Sequence, residues 1–354
     1  MNILILGGTG VIGRALVNEL RDQDHRIYIT SRSNHEVTET VNYLHGNAKD
    51  RDFLGNILLI KKWDIVVDLM NYSTPEFLSN VNELLRKSGR YIFTSSCRVF
   101  ANSPDPLTEK SLKIIDVIDD QKYFSTDEYA LAKGRQEKIL EASPFNNWII
   151  ARPYITFDTE RLQFGPFEKE EWLYRSIQGR KLPIYHQVQS AITTLTPAHI
   201  VAKYIASIIA DNSIKKTSFN LVANTPLTWE EVHLANVTDN SKKIKVNFHQ
   251  TDRESFLKLK PTPYQTIYDR VYDRVFDTNK LKAEFDLNAR VDIERELSQC
   301  FCDFMKSPRF TAINWEFEAK KDVLTGEMAR LDEFGSIRNF ARYMKHKIYS
   351  RKIN

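Results

Sequence analysis

Tyr129 and Lys133 stand four residues apart in Tyr129-Ala130-Leu131-Ala132-Lys133. On a helix that spacing sets the phenol and the ammonium on one face, one turn apart. A positive charge beside a phenol favours the phenolate and lowers the pH at which the proton is exchanged. The pair is therefore suited to general acid–base work near neutral pH. Taken alone, Tyr-x-x-x-Lys also describes many exposed helical pairs. A second group singles this one out: the hydroxyls of Thr94-Ser95-Ser96, which close the strand-like run Arg90-Tyr91-Ile92-Phe93.

A third cluster is backbone rather than side chain. Ile3-Leu4-Ile5-Leu6 is a continuous apolar run, as expected of a parallel strand buried on both faces. It runs into Gly7-Gly8-Thr9-Gly10-Val11-Ile12-Gly13, and Ala15, Leu16 and Leu20 continue with helical spacing. Four of the chain's 12 glycines fall in this one turn, which makes chance a poor explanation. Gly7, Gly10 and Gly13 allow the tight turn and the close approach of a pyrophosphate, while Val11 and Ile12 offer N–H groups at a helix start. This strand–turn–helix context marks a dinucleotide site.

The elements that must position these groups follow in order. Arg26–Thr30 reads as a second strand, Val41–His45 as a third, Trp63–Leu69 as a fourth and Arg90–Thr94 as a fifth, with helical segments between them. That rhythm predicts α/β architecture, a Rossmann-type doubly wound parallel sheet. Ligands of such sheets lie at the carboxyl ends of the strands, so Ser31, Asn47, Ala48, Met70, Asn71 and Ser96 are expected to line the crevice. The second strand leaves through Ser31-Arg32-Ser33, with no carboxylate to hold a ribose 2′-hydroxyl. Arg32 beside two hydroxyls suits a 2′-phosphate instead, which favours NADP and leaves NAD as the alternative. Ser125-x-x-Glu128 reads as a capping box that opens the helix of Tyr129 and Lys133.

Composition excludes several classes. A net charge of +4 over 354 residues is not the concentrated positive field of a nucleic-acid binder. Three cysteines, Cys97, Cys300 and Cys302, argue against a disulfide framework and fit a reducing, cytoplasmic setting. No apolar stretch reaches about 20 residues, so no transmembrane segment is expected, and the first apolar run is too short for a signal sequence. No metal site is expected. Beyond Pro308, Ile337, Phe340, Met344 and Ile348 share one helical face, with Arg338, Arg342, Lys345 and Lys347 around it. That pattern predicts a helix packed on its own domain or on a partner subunit, and a homodimer is an allowed assembly.

These residues resemble the extended short-chain dehydrogenase/reductases, the group of nucleotide-sugar epimerases, dehydratases and ketoreductases. The matching stretches are the Gly7–Gly13 turn, Phe93-Thr94-Ser95-Ser96-Cys97-Arg98-Val99-Phe100, Tyr129-x-x-x-Lys133 and Ile149-Ile150-Ala151-Arg152-Pro153. The resemblance implies that Ser96 hydrogen-bonds the substrate oxygen, Tyr129 exchanges the proton, and Lys133 binds the nicotinamide ribose. It also places Asn47 where the family has an aspartate at the adenine edge. A dinucleotide domain over 1–156 is expected, with 195–225 returning to it. Residues 157–194 and 226–306 would form a smaller α+β substrate lobe, and 307–354 a helical extension.

Two positions depart from the family pattern. His199 replaces a common aspartate, and Ile192 falls where an arginine often grips the substrate pyrophosphate. Arg161, Arg175 and Arg180 are the candidates to substitute. Family dehydratases carry Asp-Glu after the catalytic hydroxyl, whereas Cys97-Arg98 follow Ser96 here, which removes dehydration. The expected function is an NADP-dependent oxidoreductase acting on a keto or hydroxyl carbon of a sugar nucleotide, with ketoreduction ahead of epimerisation. A rival class is a dinucleotide-binding regulatory or RNA-associated protein without turnover; a complete Ser96, Tyr129, Lys133 set speaks against it.

Overall fold

The computed structural model describes residues 1–35, 39–237, 244, 246–260, 262–285 and 291–351. The chain divides into two compact units. The first comprises Met1–Thr156, Thr194–Thr225 and Val275–Val291. It is built on strands β1 (Asn2–Leu6), β2 (Arg26–Ser31), β3 (Val41–His45), β4 (Trp63–Asp68), β5 (Ser88–Thr94), β6 (Trp148–Pro153) and β7 (Thr217–Leu221). Every pairing is parallel and the spatial order is β7-β6-β5-β4-β1-β2-β3. The order reverses between β1 and β4, so the crevice of this doubly wound sheet opens beyond the carboxyl ends of those two strands.

Alternation along β1 explains the two helix layers. Ile3 and Ile5 join one apolar core, and Leu4 and Leu6 the other. On the first face lie α1 (Val11–Leu20), through Leu16 and Leu20, and α5 (Ala198–Ala210), through Val201, Ile205 and Ile208. The other face takes α2 (Arg51–Leu59) and α3 (Thr74–Lys87), with Leu54, Ile57, Phe77 and Val81. A capping box starts α3: Ser73 Oγ accepts from the Glu76 N–H, and Glu76 Oε2 accepts from the Ser73 N–H at 2.7 Å. Arg90 on β5 reaches the far end of α5 and donates to the carbonyls of Ile208 and Asp211 at 2.6 and 2.7 Å. That satisfies orphan carbonyls where the helix dipole is negative.

The helix that carries Tyr129 and Lys133 is α4 (Tyr129–Glu141). Its N-cap differs from the expected capping box. Ser125 closes the preceding turn, Gln121–Phe124, and donates its hydroxyl to the Lys122 carbonyl at 2.9 Å. Glu128 is itself the cap, and its Oε2 accepts from the Ala130 N–H at 2.8 Å.

The second unit comprises Phe157–Thr193, Pro226–Arg274 and Asp292–Asn354. Residues 275–291 thus belong with the sheet, although the sequence reading grouped them with the smaller lobe, and residues from 307 pack inside the second unit. Tyr174, Trp315, Ala319, Phe334 and Tyr343 form an apolar cluster there, with Phe340 and Met344 against it. A buried ionic network adjoins it. Arg175 donates to Asp322 Oδ1 at 2.6 Å, Glu318 Oε2 at 3.1 Å, Thr325 Oγ1 at 2.9 Å and Glu327 Oε2 at 2.9 Å. Arg180 pairs with Asp322 Oδ2 at 3.0 Å and with Glu333 Oε2 at 2.8 Å.

The inward face of the last helix, Ile337–Arg351, is offset from the one its apolar spacing suggests: Phe340 and Met344 pack on the cluster as expected, but Ile337 and Ile348 do not. Tyr343 and Lys347 are buried, whereas Ile337 is 87 % and Ile348 is 53 % exposed. Hydrogen bonding sets that rotation: the Tyr343 hydroxyl donates to Asp322 Oδ2 at 2.5 Å, and Lys347 reaches the Glu327 carbonyl. Among the described residues no helix is long and apolar enough to cross a membrane.

Arg175 is the keystone of the network, since its removal leaves buried carboxylates uncompensated. Breaking one side of a buried ion pair costs roughly 3–5 kcal/mol. Arg175→Met is therefore expected to lower the stability of the second unit, read from urea unfolding as a lower midpoint, by that order, and to render the segment beyond 307 sensitive to limited proteolysis. An unchanged midpoint and an unchanged cleavage pattern would show that the network is not what retains the segment.

Candidate active site

The glycine turn joins β1 to α1 at the crevice. Gly7 has φ +72°, which L side chains rarely adopt, and its N–H donates to Thr30 Oγ1 at 3.0 Å. A Cβ on Gly13 would lie 2.4 Å from the Gly8 carbonyl oxygen, so only glycine lets the helix pack this close to the turn. The N-cap is Gly10, which has no side chain to satisfy the first N–H groups of α1. Val11, Ile12 and Gly13 therefore present donors and a positive dipole end to an anion. This cradle fits the pyrophosphate of a dinucleotide.

At the end of β2, Ser31 is buried and Arg32 is exposed. Ser31 Oγ is 2.9 Å from His35 Nε2 and accepts from the Ser33 N–H at 3.1 Å. His35 stacks on Tyr43 with centroids 4.5 Å apart, and His45 Nε2 is 3.1 Å from the Arg32 carbonyl. These rings hold the Ser31–Ser33 loop in shape and leave the Arg32 side chain at the surface. Asn47 Oδ1 accepts from the Lys49 N–H at 3.2 Å, a local Asx turn; Ala48 beside it is buried, and Asn71 is exposed. Met70 Sδ lies where a Cβ on Gly7 would come within 2.8 Å of it, so Met70 floors the turn.

Lys133 is 2 % exposed and ties three elements together. From α4 its Nζ donates to the Thr94 carbonyl at the end of β5 at 2.8 Å, and to the Met70 carbonyl after β4 at 3.1 Å. Burial pushes its ammonium down to about 8, against the opposing pull of Asp68 and Glu137. Asp68 is a fully buried acid at the end of β4 that composition alone does not single out. Its carboxylate accepts from the Tyr91 hydroxyl at 2.7 Å and from the Met70 N–H at 3.0 Å. Burial raises its pKa, while Tyr91, the Met70 N–H and Lys133 pull the other way. The signal for it in the sequence is the one acid inside the apolar Ile65-Val66-Val67-Asp68-Leu69.

Ser96 starts the short turn Cys97–Val99, and its Oγ accepts from the Arg98 N–H at 3.2 Å. That bond uses one lone pair of the oxygen, and the hydroxyl can still donate its proton. The Arg98 side chain crosses to α4, where Nη2 pairs with Glu128 Oε1 at 2.7 Å and Cζ lies 5.3 Å from the Tyr129 ring centroid. The turn that begins at Ser96 and the helix that begins at Tyr129 are thereby joined. In the sequence Arg98 serves only to exclude dehydration, and its contact with a helix about 30 residues on is not readable there.

The candidate substrate arginines lie in the second unit. Arg175 and Arg180 are corrected here: both are buried, and their terminal guanidinium nitrogens pair with Glu318, Asp322, Glu327 and Glu333. They hold the C-terminal segment instead of a substrate. Arg161 is partly exposed, 3.7 Å from Glu168 Oε1, and stays available.

Residues 3–154 match the NAD dependent epimerase/dehydratase family. No curated protein is similar enough in sequence to match the chain. The fold is shared with dTDP-glucose 4,6-dehydratase from Bacillus anthracis in complex with NAD, at 16 % identity and a TM-score of 0.64, covering 87 % of this chain and 97 % of that one. It is shared with UDP-glucose 4-epimerase from Bifidobacterium longum in complex with NAD+ and UDP, at 14 % identity and a TM-score of 0.65, covering 87 % and 99 %. The Bordetella bronchiseptica enzyme WbmH in complex with NAD+ gives 13 %, 0.65, 87 % and 99 %. The glycine turn and the Tyr129–Lys133 helix both lie within residues 3–154, the part of the chain that matches the NAD dependent epimerase/dehydratase family, and the fold is the one found in these solved epimerases and dehydratases.

Proposed function

We propose that the chain is an NADP-dependent oxidoreductase that reduces a ketone, or oxidises the matching alcohol, on a sugar carried by a nucleotide. What supports this reading is that Lys133 ties the helix of Tyr129 to the ends of β4 and β5, where Ser96 follows, and that Arg98, two residues beyond Ser96, reaches the Tyr129 ring. Bound at the Gly7–Gly13 turn, the nicotinamide dinucleotide would supply or accept the hydride. Lys133 commits two of its three N–H donors to carbonyls, and the third would hold the nicotinamide ribose. Ser96 would donate its hydroxyl to the substrate oxygen and hold it beside Tyr129. Tyr129 gives that oxygen a proton when a ketone is reduced and takes it back when an alcohol is oxidised.

Epimerisation is a second reading, favoured by the family match and by Arg98 standing where a dehydratase carries an acid. An epimerase keeps its dinucleotide through both hydride steps; a reductase releases it. The exposed Arg32 between two serines supports NADP and exchange of the cofactor, which puts reduction first. Arg161 is the remaining arginine offered to the substrate anion.

Tyr129→Phe keeps the ring and removes the proton. Turnover of a sugar ketone should fall by ~10²–10⁴-fold, while dinucleotide affinity measured by calorimetry stays near that of the unaltered protein. A variant that turns over at the original rate would remove Tyr129 from this role. A non-catalytic binding protein would show no turnover at all before substitution.

Cofactor choice has its own test. Arg32→Asp should reverse a preference for NADP(H) into one for NAD(H), because a charge-assisted hydrogen bond contributes roughly 1.5–3 kcal/mol, a tenfold change or more. Equal affinity of the unaltered protein for NAD(H) and NADP(H) would refute the assignment to Arg32.

A further inference from the structure

Arg98 is the residue after Ser96 but one, and it touches both halves of the site. Its backbone N–H fixes the Ser96 hydroxyl. Its guanidinium lies over the Tyr129 ring, within the distance of about 6 Å at which a cation is attracted to an aromatic face. The side chain is largely withdrawn from water, at 12 % exposure, so solvent screens its field only weakly. Glu128 holds it there and is anchored in turn. Its Oε1 takes Arg98, and its Oε2 accepts from the Ala130 N–H at 2.8 Å and from the Tyr123 hydroxyl at 3.0 Å. The charge above the ring is thus placed by the same carboxylate that caps the helix of Tyr129.

We propose that Arg98 is a positioning residue of the reaction, held by Glu128 so that its positive charge over the Tyr129 ring lets the phenol release its proton at lower pH than Lys133 alone allows. This rests on the reading of Tyr129 as the proton-exchanging group. The charged and titratable groups around this end of α4 are Arg98 on the turn after β5, Tyr123 on the preceding turn, Glu128 and Lys133 on the helix, and Asp127 paired with Arg135 at 3.1 Å. Of these, Arg98 brings its guanidinium carbon to 5.3 Å from the ring centroid. Glu128 opposes it in part, since a carboxylate near the phenol disfavours the phenolate.

The test is the ionisation of Tyr129, followed as tyrosinate ultraviolet absorbance against a Tyr129→Phe reference, together with the pH profile of turnover. Arg98→Met should raise the Tyr129 midpoint by roughly one pH unit, the worth of a partly desolvated cation–π contact. Arg98→Lys keeps a charge without the planar guanidinium and should restore part of the shift; it serves where the methionine variant does not fold. Midpoints that stay put while rates fall evenly at all pH would make Arg98 a staple of the fold and overturn the proposal. A Tyr129 that titrates in its ordinary range before any substitution would instead sink the reading of Tyr129 as the tuned acid.

Discussion

The bidentate pair between Glu137 and Arg152 is the constraint on which the site depends. Arg152 Nε and Nη2 donate to the two Glu137 oxygens at 2.7 and 2.9 Å, and both side chains are out of contact with water. Burial pushes the Glu137 carboxyl up, yet Arg152 beside it holds it below the usual carboxylate range. Lys113 adds a second cation at 2.9 Å. Isolated ions at such depth would be prohibitive, and the fork geometry is what makes the pair tolerable. The pair fixes the rotation of α4 on β6. Tyr129, Lys133 and Glu137 recur every four residues, so locking Glu137 on the sheet sets the face on which the other two stand. Arg152 reaches further, to Ser218 Oγ at 3.2 Å, and so includes the edge strand β7 in the same arrangement.

Along that face the polar groups are graded. Glu137 is neutralised deep in the unit by arginine, and Lys133 one turn outward by carbonyls and the more distant Asp68. Tyr129, one turn further, is partly exposed beside Arg98. A helix whose inner face must carry three polar groups cannot rely on a wide apolar stripe. Hydrogen bonds with definite directions replace it and hold geometry more tightly than apolar packing does. The second unit applies the same chemistry to a different end, with Arg175 and Arg180 neutralised by carboxylates contributed from more than 130 residues along the chain.

Local features were legible in the sequence because their causes are local. The apolar run of β1 and the glycines after it announce a buried strand and a turn without Cβ atoms. Tyr129 and Lys133 fall on one helix because four residues make about one turn. What escaped depends on partners far along the chain. Arg175 and Arg180 read as free cations until Glu318 and Asp322 are folded against them. The inward face of Ile337–Arg351 is drawn toward a phenol and an ammonium, so counting apolar residues finds Phe340 and Met344 but misses Tyr343 and Lys347. Ser125-x-x-Glu128 has the form of a capping box, but Ser125 is taken by the carbonyl of Lys122 and the helix starts three residues later.

The first unit is threaded from three separate stretches of chain, and this has a consequence for how it is made. Strands β1 to β6 are all available once residue 153 has left the ribosome, yet β7, which covers the edge of β6, comes more than 60 residues later. During that interval β6 presents unpaired N–H and C=O groups along Trp148–Pro153, a ready template for wrong pairing with another nascent chain. Ile149 and Ile150 on that edge are apolar and β-branched, which sharpens the hazard. The vulnerable period of this protein is thus a stage of synthesis, ended when Thr217–Leu221 docks and seals the sheet.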